Sequence, residues 1–312
     1  MKKLLLASTA LAFSAGVAAA EVSVVGDARM GITYDDAQVN EWAFNQRIRI
    51  RFNASGTTDT GLTFGGWVRM QDAVPAALGR VGSIGALSTG QNISSGGHNV
   101  FIAGAFGRLA MGDVAGAVQS AVGDLPGVGL TGLGFNNENA FFQRDFGGGL
   151  AAAGGPNALY TYSMAGFTVS ASISQINLGG EVYGIGVRYS ADGLTVGAGF
   201  EVFDSAAPNP NHIAVGAAYD FGVAEVKATY GRVNSNAGTA RRDQFGVGFS
   251  TTFDATTITG YARRDFGRND NFGLGASYNL GGGASLVGGI TYEDRFQAPS
   301  RTRADFGVSM SF

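Results

Sequence analysis

The amino-acid sequence predicts an all-β fold: a closed, antiparallel barrel of sixteen strands that crosses a membrane. Three observations carry this. Apolar residues recur with period two over stretches of about ten residues, the signature of a strand with one oily and one wet face. In 223–230 the apolar positions Ala224, Val226, Ala228 and Tyr230 alternate with Glu225, Lys227 and Thr229. No segment after the first twenty residues holds eighteen consecutive apolar residues, and no long stripe of period 3.6 is bounded by caps, so a bundle of membrane helices is excluded. The connections alternate between short turns and long loops, with both chain ends on the short-turn rim, as in outer-membrane barrels.

The elements follow in order. Lys2 and Lys3, an apolar run from Leu4 to Val17, and Ala18-Ala19-Ala20 form a basic, apolar and small-residue series. It reads as a cleavable secretory leader over 1–20, leaving one barrel domain over 21–312. The apolar run is too short for a membrane anchor. Strands are predicted over 22–34, 44–55, 61–72, 98–105, 108–114, 157–164, 167–176 and 181–189, then over 194–203, 212–219, 223–232, 243–253, 256–264, 271–280, 284–293 and 303–312. Phe106-Gly107, Ala165-Gly166, Asp220-Phe221-Gly222, Asp254-Ala255 and Gly281-Gly282-Gly283 are turns, and 73–97 and 115–156 are long loops. A soluble β-sandwich would also alternate. The membrane barrel is favoured by strand length and by aromatics near segment ends (Tyr34, Tyr189, Phe203, Tyr219, Tyr230, Tyr292), with Phe312 closing the chain.

Composition narrows the function classes. Glycine occupies 51 of 312 positions without a three-residue period, so collagen is excluded. In a barrel, small residues relieve crowding between strands, which makes the glycines scaffold. Cysteine is absent, which removes disulfides, thiolate metal sites and cysteine nucleophiles from an exported chain. Without the leader, 19 basic residues face 24 acidic ones, a balance that argues against nucleic acid as a partner. Lys227 is then the one lysine, and every other basic residue is arginine.

The arginines are not scattered. In the first strand Asp27, Arg29, Gly31 and Thr33 oppose Ala28, Met30, Ile32 and Tyr34. The second strand sets Arg47, Arg49 and Arg51 against Ile48, Ile50 and Phe52, and the third sets Trp67, Arg69 and Gln71 against Val68 and Met70. Five guanidiniums on one face of three paired strands cannot be neutralised by deprotonation, so water or carboxylates must reach them. A positive wall in a water-filled lumen satisfies that, and sixteen strands leave room for one.

Residues 115–156 are far longer than an ordinary connection and show no clear strand. With Asp113, Asp124, Asn136, Asn137, Glu138, Arg144 and Asp145 among glycine and alanine, the stretch suits a chain folded into the barrel mouth; a surface loop is the plainer alternative. Gly127-Val128-Gly129-Leu130-Thr131-Gly132 matches the dinucleotide fingerprint formally, but no βαβ unit surrounds it. His98 and His212 are the only histidines, and at strand starts beside loops they read as solvated rather than catalytic. Asp35-Asp36 and Glu293-Asp294 sit where strands meet outer loops. They are read as solvated, or as bridging lipopolysaccharide through divalent ions such as calcium at the outer rim.

Several segments together carry a family resemblance: Glu21 to Tyr34, Ser55 to Gly66, Phe101 to Asp113, Ala158 to Ser163, Leu274 to Ile290 and the terminal Phe312. Over essentially the whole mature chain the sequence resembles the Rhodobacter-type general diffusion porins of the alphaproteobacteria. The resemblance implies a homotrimer in the outer membrane that passes small hydrophilic solutes and ions. It also implies a third long loop folded inward, with carboxylates facing a basic wall. Arg29, Arg47, Arg49 and Arg69 fall where the matching segments put that wall; Arg51 joins it by alternation alone. Phe312 matches the terminal aromatic such barrels use as an assembly signal. The loop departs from the pattern, because after Gly123-Asp124-Leu125 no acid occurs from Pro126 to Phe135. That argues against calcium at the narrowing, since a hard cation wants several carboxylate oxygens. It leaves the wall less compensated and predicts a pore less cation-preferring than its relatives, or mildly anion-selective. A channel selective for anionic solutes such as phosphate or organic acids is the alternative reading, and a closed structural barrel would conduct nothing.

Overall fold

The computed structural model describes residues 20–73, 94–144, 154–176, 180–204, 209–234 and 242–312. Residues 1–19 of the leader, most of the 73–97 loop and Asp145 lie outside the described residues.

The strands are β1 (Glu21–Asp35), β2 (Trp42–Thr57), β3 (Thr63–Ala73), β4 (Ser94–Gly104), β5 (Gly107–Gly112), β6 (Gly154–Met164), β7 (Phe167–Ile176) and β8 (Gly180–Ala191). They continue as β9 (Leu194–Asp204), β10 (Asn211–Asp220), β11 (Ala224–Asn234), β12 (Arg242–Phe253), β13 (Thr256–Arg264), β14 (Asp270–Gly281), β15 (Ala284–Asp294) and β16 (Arg301–Ser311). Each of the sixteen expected strands is present, with ends displaced by a few residues, mostly on the long-loop rim. Each pairs antiparallel with its chain neighbours, and β1 pairs with β16 to close the barrel. The seam runs from Asp27 opposite Ser311 to Asp35 opposite Arg303. It is extended by Gly26 N–H to the Phe312 carbonyl at 2.6 Å and Phe312 N–H to the Gly26 carbonyl at 3.0 Å. Closure leaves no sheet edge, as a lipid environment requires.

The barrel is apolar outside and polar inside. On β2, Phe44, Ile48, Ile50 and Phe52 are exposed on the outer face while Asn45 is buried on the inner. On β14, Phe272, Leu274 and Tyr278 face out and Asn271 is buried. This is the inverse of a soluble sandwich, and it is stable only where hydrocarbon meets the outer face. Aromatic pairs stand at the rims: Tyr34 with Trp42, ring centroids 5.0 Å apart, Phe167 with Tyr189 at 4.6 Å, and Tyr219 with Phe221 at 4.7 Å. Phe203 is an exception to the expected girdle, since it alternates in step with the buried Glu201 and so belongs to the inner face. The short turns are tight; Ala165-Gly166 and Asp192-Gly193 both take positive φ at each position, the type I′ geometry that matches strand twist.

The hydrophobic core lies inside the barrel, where the long connection after β5 packs against the wall. It contains one short helix, α1 (Ala117–Val122), that period-two reasoning did not reveal. Val118, Ala121 and Val122 pack with Phe141 and with Ala214 of β10. Leu125, Val128 and Leu133 pack with Tyr261 of β13. Val114 and Ala117 pack with Ala110 and Leu159. The described part of the connection therefore does not lie on the surface.

Candidate functional site: an arginine wall and a tethered inner loop

Alternation and register bring the five arginines together. Arg29 stands opposite Arg47, Asp27 opposite Arg49, and Arg51 opposite Arg69 across the β1–β2 and β2–β3 pairs. Like charges directly opposite are unfavourable, so each guanidinium needs compensation. Asp27 supplies it for two: its carboxylate lies 3.0 Å from Arg47 Nη2 and 2.8 Å from Arg49 Nε. That carboxylate is 37 % exposed, so the pairs sit in a wet space and each is worth little in isolation. Arg51 donates to Asn53 Oδ1 at 2.7 Å and stacks over Trp67 at 4.9 Å. Opposite Arg69, β4 carries one extra residue, a bulge of the kind that re-aims a neighbouring side chain. Arg29 differs from the others, because it donates to Asn45 Oδ1 at 2.9 Å and to the backbone carbonyl of Leu130 at 3.2 Å, so it touches the loop itself.

The described part of the loop is anchored at successive points. Asp113 is fixed at the exit of β5 by the His98 N–H, which donates to its Oδ2 at 2.9 Å. Ser172 Oγ accepts the first helical N–H, that of Ala117, at 2.8 Å, and α1 then runs over β7 to β10. At the tip, Asp305 of β16 accepts the N–H groups of Leu130 (2.8 Å) and Thr131 (2.6 Å) and the Thr131 hydroxyl (2.7 Å). Gly129 has φ +76°, and a Cβ there would stand 2.5 Å from Asp305 Oδ1. The glycines that mimic a nucleotide fingerprint thus wind the loop tip against a carboxylate. On the return limb Arg263 donates to the Asn136 carbonyl at 3.2 Å, Asn137 Nδ2 to the Leu125 carbonyl at 2.7 Å, and Gln244 both accepts from Ala140 N–H and donates to Ala140 O. None of these anchors lies on β2 or β3, the strands that carry the other four arginines.

Within the loop, Arg144 gathers the charge. Its guanidinium donates to both Asp124 carboxylate oxygens at 3.2 Å and reaches Glu138 Oε2 at 2.9 Å. Sequence reasoning named all three residues but could not foresee that they pair with one another. It missed Asp305, Gln244 and Glu201, because alternation identifies an inward residue and not the loop atom it meets. His212 corrects an expectation: far from being solvated, it is fully buried on the inner face of β10, 2.8 Å from Glu201.

Many inward glycines also meet the loop and not only neighbouring strands. A Cβ at Gly197 would stand 2.1 Å from the Ala121 carbonyl oxygen, one at Gly186 2.4 Å from that of Ala117, and one at Gly248 2.6 Å from Pro126 Cδ. These residues are the space the loop occupies.

A family model described as Gram-negative porin matches residues 7–296. The porin of Rhodobacter capsulatus is 34 % identical over 322 aligned positions, covering 94 % of this chain and all of that protein. The porin of Fuscovulum blasticum is 28 % identical with the same coverage. A porin structure refined at 1.8 Å superposes with a TM-score of 0.74 at 32 % identity, over 94 % of this chain and all of that one. A barrel that is apolar outside, wet and arginine-lined within, and matched over most of its length by these proteins belongs to the Gram-negative porin family: an outer-membrane pore for passive diffusion of small hydrophilic solutes and ions, and not an enzyme.

Proposed function

We propose that solutes pass between the arginine wall of β1 to β3 and the inner loop, and that this passage leans toward anions. The observation that carries the reading is the charge pairing. The wall gathers five guanidiniums, and its carboxylate Asp27 is shared by two of them, Arg47 and Arg49, whereas the loop acids Asp124 and Glu138 are both engaged by Arg144. A passing ion therefore meets an excess of fixed positive charge, and in a narrow aqueous path fixed charge decides which sign is concentrated.

The family resemblance supports a homotrimer surrounded by outer-membrane lipid and lipopolysaccharide. It also supports Phe312 as an assembly signal. The pore works without a cofactor. At the outer rim Asp35 faces Arg301 and Arg303, and Glu293 faces Arg303 at 3.7 Å, arrangements that suit arginine better than calcium.

The test is the reversal potential of single channels in a KCl gradient across a planar bilayer, for the native chain and for Arg47→Ala with Arg49→Ala. The native pore is expected on the anion side of neutral. The double variant, which also leaves Asp27 uncompensated, is expected to shift to the cation side and to assemble normally, because water already solvates that face. A native potential on the cation side would overturn the reading.

A further inference from the structure

Glu201 and His212 are the most enclosed ionisable pair among the described residues, 1 % and 0 % exposed on the inner faces of β9 and β10. His212 Nδ1 lies 2.8 Å from Glu201 Oε1, and the imidazole is ringed by Phe141, Phe142 and Phe266 with centroids 5.9, 5.9 and 5.6 Å away. A buried carboxylate is tolerated only if its oxygens are hydrogen-bonded. Here the remaining donors come from the loop: the Phe142 N–H at 2.5 Å and the Gln143 N–H at 3.3 Å. Backbone N–H groups bonded to a charged, enclosed acceptor are held more firmly than those bonded to water. The next residue along the chain is Arg144, the group that covers Asp124 and Glu138.

We infer that Glu201 and His212 form a positioning pair that sets the ion selectivity of the pore, by pinning Phe142 and Gln143 so that Arg144 stays over the two loop carboxylates. Neither residue touches the permeating ion. They act through Arg144, and releasing them frees its segment and uncovers Asp124 and Glu138 toward the lumen. The inference rests on the anion-leaning passage proposed above and deepens it.

The experiment compares K+ over Cl− permeability ratios from reversal potentials of single open channels, so that a change in the number of inserted pores does not enter the result. Arg144→Gln removes the cover directly and is expected to raise the ratio. Glu201→Ala is expected to raise it by about twofold, short of the Arg144→Gln value. Glu201→Gln, whose amide oxygen still accepts the Phe142 N–H, is expected to return most of the way to the native ratio. His212→Leu leaves Glu201 on the loop but removes its partner, and is expected to shift the ratio in the same direction by less. A shift for Arg144→Gln with none for Glu201→Ala would overturn the pair's role while leaving the loop reading standing. No shift for Arg144→Gln would show that the loop reading itself has failed, and the inference with it. If neither Glu201→Ala nor His212→Leu inserts as an open channel, the pair serves barrel assembly and the inference is likewise overturned.

Discussion

A single carboxylate can have opposite duties depending on which face of which strand carries it. Asp27 and Asp305 both point into the barrel, yet Asp27 is shared by two wall arginines while Asp305 is spent on the loop tip, buried and bonded to two backbone N–H groups and a hydroxyl. Hydrogen bonds to a charged acceptor contribute about 1.5–3 kcal/mol each, and stranding their donors costs a similar amount. Asp305→Ala is therefore expected to loosen the loop tip, seen as noisier single-channel currents and a thermal stability lower by about 3 kcal/mol. Quiet, native currents from that variant would show that Arg29 and Arg303, which donate to the Leu130 and Leu133 carbonyls, hold the tip alone. The sequence revealed the arginine wall because its members repeat at every second position on three neighbouring strands. It concealed the role of Asp305 and Glu201 because the loop N–H groups they accept lie 174 and 59 residues away and, as backbone groups, carry no residue-type signal.

The strands and the loop were legible to different degrees for the same physical reason. A strand in lipid must alternate along its length, so all sixteen could be read from period two. α1 is enclosed between the wall and the rest of the loop, so it has no wet stripe to betray it; five of its six residues are buried. The inward glycines give the two elements their common boundary, and the expectation that they serve only strand crowding was too narrow. Gly197→Ala should press α1 away from the wall, because the added carbon meets the Ala121 carbonyl, a backbone atom that cannot rotate aside. The expected outcome is a lower conductance per channel and slower uptake of the larger permeant sugars in liposome swelling. Gly288→Ala supplies the comparison. It lies on the outer face of β15, its Cβ would stand 3.1 Å from Phe306 Cδ2, and it should leave conductance per channel at the native value. Equal conductance for both variants would mean the helix yields without narrowing the passage.

At the scale of the whole molecule, the barrel exists only if its first and last strands find each other across the full length of the chain. That seam is built from the register of β1 with β16 and ends on Phe312, whose backbone N–H and carbonyl both bond to Gly26. Its ring lies over the same glycine, since a Cβ at Gly26 would stand 2.3 Å from Phe312 Cε2. Closure of ends so distant in sequence is entropically costly, and the last pair to form has the least local help. A ring seated in a gap left by glycine adds apolar contact at that point, on the side that faces lipid. Deleting Phe312 is therefore expected to lower the yield of inserted barrels, measured as heat-modifiable protein in outer-membrane fractions, while each pore that does insert keeps its native conductance and selectivity. Gly26→Val should act in the same direction by displacing the ring with the terminal residue still present. The pair of variants separates two roles for the residue. If both lower the yield, the docked ring matters to closure; if only the deletion does, the free terminal aromatic is read by the insertion machinery, and its seat on Gly26 is incidental.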